Sequence, residues 1–294
     1  MNLQSLPATT VLSDYVTIVE QEAVKIVRIL HPKVTGGIAL HGGHVVSFQP
    51  EGEEDYLWMS AACNYDGKAP LRGGIPVCWP WFGPLAQPSH GFARAKQWQL
   101  VEHRENDEGV IVELGLTQDD ETLAIWPYSF ALRLVVEMST TLKVSLIMTN
   151  TGDTAWNFSG ALHSYLNIGD IEQLSTTGMG PEYIDKLQDS KLCQGEDTLI
   201  LTDTIDRVYT QPSDKIVVTD PVLKRQLTIE NAGHNSAVLW NPWQKGAASI
   251  GDMNEDSYKT MFCVESTLFA PHLAAGQALQ PNESHTLSTV IAKQ

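Results

Sequence analysis

The chain has 294 residues, of which 43% are apolar and 18% charged, so it can bury a large core and does not read as disordered. Its net charge of −16 repels phosphate backbones, which argues against a nucleic-acid partner and means that any anionic substrate needs a local cluster of cations. No stretch approaches the roughly 20 apolar residues of a membrane span, and MNLQSLPATT lacks the charge and apolar run of a secretory signal.

In chain order, His41-Gly42-Gly43-His44 is the first segment to weigh. Its spacing matches no common ligand pair, and no metal is expected there. Leu71–Pro84 (LRGGIPVCWPWFGP) follows; its glycines and prolines exclude both a regular helix and a central strand. A rigid aromatic loop of this kind suits a pocket wall, although for Trp79 and Trp81 taken alone a place in the core is the stronger reading. Beside Gly73 and Gly74, the Arg72 guanidinium can reach a ligand oxygen in a bidentate fork. The loop lacks the G-x-x-x-x-G-K-[ST] spacing of a nucleotide-binding loop. His90-Gly91-Phe92-Ala93-Arg94 brackets a tight turn with a histidine and an arginine.

Period-two alternation then predicts half-buried strands: Val110, Val112, Leu114 and Leu116; Leu132, Leu134, Val136 and Met138; Leu142, Val144, Leu146 and Met148; Leu227 and Ile229. Turn signals at Glu105–Gly109, Asn150–Asp153 and Asn231–Gly233 punctuate them. Short helices are expected at Asp119–Trp126 and Pro271–Ala275. Between the strands, His163, Tyr165 and Asn167 share one face of an extended segment, which is either a wet cleft floor or a solvated strand face. In LTDTIDRVYT, one of Asp203 and Asp206 is either a sugar ligand, since carboxylates accept two hydrogen bonds in fixed directions, or a solvated turn residue. Glu265, in MFCVES, stands within an apolar run, where a carboxylate is costly unless partnered or used, and where burial makes it a better base. Cys63, Cys78, Cys193 and Cys263 form neither a zinc pattern nor a disulfide framework, and reduced thiols in a cytoplasmic protein are expected.

Many short strands and few helices predict an all-β antiparallel sandwich or barrel, folded as one domain over residues 1–294. RGGIPVCWPWFGP, HGFAR, LHSYLNIGD, the DRVY segment, WNPWQK and CVE together resemble the hexose-6-phosphate mutarotase branch of the aldose 1-epimerase family. That resemblance implies a large β-sandwich of the galactose-mutarotase type with an open cleft. It makes His163 and Glu265 the catalytic pair, Arg72, Arg94 and Asp206 substrate-binding positions, and His90 a second pocket histidine. Some relatives carry glutamine directly before the H-G-F-A-R turn, where this chain has Ser89.

Exchange of anomers requires removal of the C1 hydroxyl proton and protonation of the ring oxygen. A carboxylate and an imidazolium suit these tasks near neutral pH. Glu265 would act as base and His163 as acid, with Asp206 favouring the charged imidazole. Arg72 and Arg94 would clamp a phosphate, and Trp79 or Trp81 would flank the sugar. The expected enzyme is a monomer acting on a phosphorylated hexose, needing no cofactor or metal and neither a membrane nor a nucleic acid. The alternatives are an epimerase of free aldoses, a hydrolase or lyase using Asp206 and Glu265, and a non-catalytic carbohydrate-binding protein.

Overall fold

The computed structural model describes residues 2–294. Its core is an antiparallel β-sandwich. A nine-stranded sheet runs in the order Thr198–Leu199, Ser175–Thr177, Lys215–Asp220, Arg225–Ala232, Ser284–Lys293, Leu142–Asn150, Phe130–Met138, Gly109–Thr117, Gln99–Asn106. The alternating segments of the sequence lie here. Phe130–Met138, for example, alternates between buried and more exposed side chains along its whole length, as a strand with one face on a core must. The Asn106–Gly109 hairpin joins two of these strands, with Asn106 Oδ1 accepting from the backbone of Glu108 and Gly109.

An eight-stranded sheet packs across this one. Its central strand, Met261–Leu268, is flanked by Ser236–Asn241 on one side and by Gly160–Leu162 and Tyr165–Asn167 on the other. Ser266 Oγ donates to Ser288 O, at 3.1 Å, in the nine-stranded sheet. The side chains of Phe262, Val264 and Ser266 therefore point toward that sheet. By the two-residue period, Cys263 and Glu265 point the other way. An N-terminal five-stranded sheet of consecutive hairpins, from Ala8–Val11 to His44–Pro50, extends the core.

Helix is scarce among the described residues. Asp120–Ile125 is capped by Asp119, which accepts from Thr122 N while Thr122 Oγ1 accepts from Asp119 N. The turn expected near Pro271–Ala275 is a 3-10 turn at Leu273–Ala275. A second α-helix, Trp243–Ser249, contains Gly246 and has no side-chain cap, so neither propensity nor a start signal marks it in the sequence. Among the described residues no helix is long and apolar enough to cross a membrane.

Candidate active site

The register of the eight-stranded sheet builds the site. Leu162 lies opposite Ser266 and Tyr165 opposite Cys263, so His163 falls opposite Glu265 across neighbouring strands. Val264 N donates to Ser164 O at 3.1 Å, which holds that register where the ladder is interrupted. Directly opposed side chains in an antiparallel pair approach closely, and here His163 Nδ1 stands 3.3 Å from Glu265 Oε1. Two rows of side chains cross this face of the sheet. One comprises His163, Glu265, Val238 and Val208; the other comprises Tyr165, Cys263, Trp240 and Asp206. The segment predicted to present His163, Tyr165 and Asn167 on one face does so only in part. Asn167 turns away to donate to Asp55 O, whereas the rings of His163 and Tyr165 stack at 4.7 Å and 7°.

Loops close over this face and bring the cations. Arg72 is anchored through Nε to Asp252 Oδ1 and through Nη1 to Tyr165 OH, both at 3.0 Å. The following Gly73 and Gly74 have φ of +107° and +59°, and a Cβ at either would lie 2.3 Å or less from a backbone oxygen, so only glycine fits. The two histidines considered for metal support the same loop. His41 Nε2 donates to Ala69 O and His44 Nε2 to Gly73 O, at 2.8 and 2.6 Å. Arg94 is held by a bond from Nη2 to Ser89 O at 2.8 Å, and its Nε is buried without a partner. The backbone of residue 89 makes this contact, so serine in place of glutamine leaves the anchor intact. His90, with φ of +63°, accepts from Gly83 N at Nδ1.

Arg72, His90, Arg94, His163, Asp206 and Glu265 thus line one cavity of about 180 Å³, together with Phe82, Tyr165, Val238 and Trp240. Through Phe82, His90 and Asp206 it adjoins an outer chamber of about 550 Å³, where Lys186 and Phe269 appear. All six candidate residues converge; of the four additional lining residues, Tyr165 lies on the segment read as a possible cleft floor, whereas Phe82, Val238 and Trp240 are not marked individually by the sequence. Val238 and Trp240 carry the period-two signal of a strand, but no local cue shows which face is the cleft.

One open reading is decided and one expectation is corrected. Trp79 and Trp81 belong to the core and do not flank the cavity. Trp79 is fully buried among Phe92, Trp126, Phe130 and Trp156, and Trp81 donates Nε1–H to Pro88 O. Phe82, from the same loop, and Trp240 form the aromatic wall, with ring centroids 6.4 and 6.2 Å from that of His163. Nor does Asp206 hold His163 charged. Burial pushes the imidazole well below its ordinary range, helped by His90, Arg94 and Arg72. Asp206 instead adds to burial in raising Glu265 well above the usual carboxyl range. Both members of the pair therefore favour their neutral forms. His90 is likewise pushed down to about 3 by burial and the arginines.

Comparison with known proteins places this geometry. The family model for aldose 1-epimerase matches residues 25–292. A protein of Escherichia coli (strain K12) with the provisional name glucose-6-phosphate 1-epimerase is 38% identical over 268 residues, covering 89% of each chain. A Salmonella typhimurium protein of the same provisional name is 37% identical over 99% of this chain and 98% of its own. The crystal structure of a provisionally assigned mutarotase from Salmonella typhimurium superposes with a TM-score of 0.93 at 34% identity, over 99% of this chain and 97% of that one. Galactose 1-epimerase from Lactobacillus acidophilus shares the fold, with a TM-score of 0.74 at 14% identity over 99% of both chains.

Proposed function

The chain belongs to the aldose 1-epimerase family, and on that premise we propose that its cleft interconverts the α and β anomers of a hexose 6-phosphate, glucose 6-phosphate foremost. Anomer interconversion comes with the family; the phosphorylated substrate and the roles of individual side chains are our reading. The observation that carries it is the convergence of Arg72 and Arg94 on the cavity that holds the His163–Glu265 pair, in a chain whose net charge is −16. Guanidinium groups bind phosphate oxygens through paired, charge-assisted hydrogen bonds. The names of the relatives point to the same substrate class.

The chemistry needs one proton shared by the pair. With both groups neutral, Glu265 carries it as a carboxylic acid. Its transfer across the 3.3 Å contact yields a carboxylate and an imidazolium, the same pair with the proton relocated. Glu265 then removes the C1 hydroxyl proton while His163 delivers a proton to the ring oxygen. The C1–O5 bond breaks and C1 becomes a carbonyl. Rotation about C1–C2 exposes the other carbonyl face, and the transfers reverse on closure. Asp206 accepts hydrogen bonds from sugar hydroxyls, and Phe82 and Trp240 flank the ring. Tyr165 positions His163 by stacking and ties it to Arg72 through its hydroxyl.

A coupled assay tests the substrate. α-Glucose 6-phosphate is supplied to a β-specific dehydrogenase with and without the protein, and free α-glucose is assayed in parallel. Acceleration is expected with the phosphorylated sugar, and equal activity on both sugars would refute the clamp. Arg72→Ala and Arg94→Ala should each raise KM for hexose 6-phosphate about 10- to 100-fold, the loss of about 1.5–3 kcal/mol that accompanies a charge-assisted bond, and change KM for free hexose much less.

A further inference from the structure

Met261–Leu268 points Cys263 and Glu265 from the same face of the sheet, and His163 lies opposite Glu265. One donor atom from each of His163, Cys263 and Glu265 lies within 4.8 Å of the other two, and all three residues are buried. Glu265 Oε2 is buried without a hydrogen-bond partner, and His163 Nδ1 meets Glu265 Oε1 at 3.3 Å as an ion-pair contact without hydrogen-bond geometry; the two residues are 1% and 8% exposed. Such groups are costly to leave unmatched. We propose that this triad binds a zinc-class divalent cation, and that the bound ion inhibits the enzyme by occupying its acid–base pair.

The donor set selects the ion. Nitrogen, sulfur and carboxylate oxygen together favour zinc and its neighbours over calcium or magnesium, which prefer oxygen. Tetrahedral zinc, with bonds of about 2.0–2.3 Å, sets its ligands roughly 3.3–3.7 Å apart. The His163–Glu265 contact of 3.3 Å already meets that spacing, so the remaining adjustment, about 1 Å at most, falls on the Cys263 side chain. Charge also balances. Binding displaces one proton from the Cys263 thiol and one from the Glu265 carboxyl, so the thiolate and carboxylate neutralise the ion. The buried assembly then carries no net charge for Arg72 and Arg94 to repel. His163 and Glu265 line the cavity, which gives the ion a route to the triad, and three protein ligands leave a fourth position for water.

Inhibition rests on the epimerase reading, whereas binding does not, and the two are separable. Protein stripped with EDTA is titrated with zinc chloride in the coupled assay and, separately, with cobalt chloride by absorption spectroscopy. The stripped enzyme should be active and inhibited by zinc. Cobalt should produce a thiolate-to-metal charge-transfer band in the near ultraviolet. Cys263→Ala keeps the acid–base pair, and it should abolish the band and weaken zinc inhibition by roughly 100-fold, the scale on which losing a supporting group lowers metal affinity. The proposal is overturned if wild-type protein gives no such band, if Cys263→Ala remains equally sensitive to zinc, or if zinc restores rather than suppresses activity. If Cys263→Ala does not fold, the wild-type spectrum decides alone. A protein that gives the band but is inactive on hexose 6-phosphates would refute the epimerase reading and keep the site.

Discussion

Glu265 is 1% exposed and meets His163 across two strands, with both groups favouring neutrality because burial penalises their charged forms. Burial therefore widens the pH range of the one-proton state of the pair at both ends. As pH falls, a second proton enters at the depressed imidazole; as pH rises, the last proton leaves the elevated carboxyl. Activity should follow a broad bell, with its acid limb below the ordinary imidazole value of 6.5 and its alkaline limb above the ordinary carboxyl value of 4.5. Glu265→Gln and His163→Asn should each lower kcat by at least about 100-fold with little change in substrate affinity. The alkaline limb should be absent from the residual activity of Glu265→Gln. Near-wild-type turnover in either variant removes that residue from the mechanism, and an alkaline limb that survives in Glu265→Gln assigns it elsewhere.

Elements differ in how much of themselves the sequence reveals. Strands with one exposed face announce themselves by alternation, as Phe130–Met138 and Leu142–Asn150 do. Met261–Leu268 is buried on both faces, as is Val24–His31 apart from Lys25 and Leu30, and neither carries such a signal. For the same reason Glu265 stands out in the sequence only as a misplaced charge. The six candidate site residues were legible as motifs, but their convergence depends on a register linking residues a hundred positions apart. Trp79 and Phe82 show the limit most plainly. They stand three residues apart in one loop, yet one plugs the core and the other faces the cavity. Trp79→Ala should cost about 3–5 kcal/mol in urea unfolding, as truncation of a buried aromatic does. Phe82→Ala should lose less than half as much stability and raise KM instead. The reverse pattern would return Trp79 to the sugar.

For the whole molecule, pH acts on stability through buried histidines. His44 is pushed down to about 3, chiefly by burial, and so is His90. Their folded values lie below the unfolded value of 6.5. The stability they contribute is present above pH 6.5 and is lost as pH falls toward 3, at up to about 1.4 kcal/mol per pH unit for each. Buried Asp55, Asp206 and Glu265 act in the opposite sense, since their raised values favour the protonated native state as pH falls. His44→Gln should therefore flatten the acid side of the Tm–pH profile relative to wild type, and an unchanged slope would show that His44 is charged in the folded protein. The fully buried strand Met261–Leu268 also bears on heat tolerance. It lies at the centre of its sheet, so its amides should exchange with deuterium only through global unfolding, while the chain's edges fray first. If Glu265 is the base proposed above, its place on this buried central strand protects activity from local melting. On slow heating, turnover should keep rising until the molecule unfolds, and activity and structure should vanish in the same few degrees.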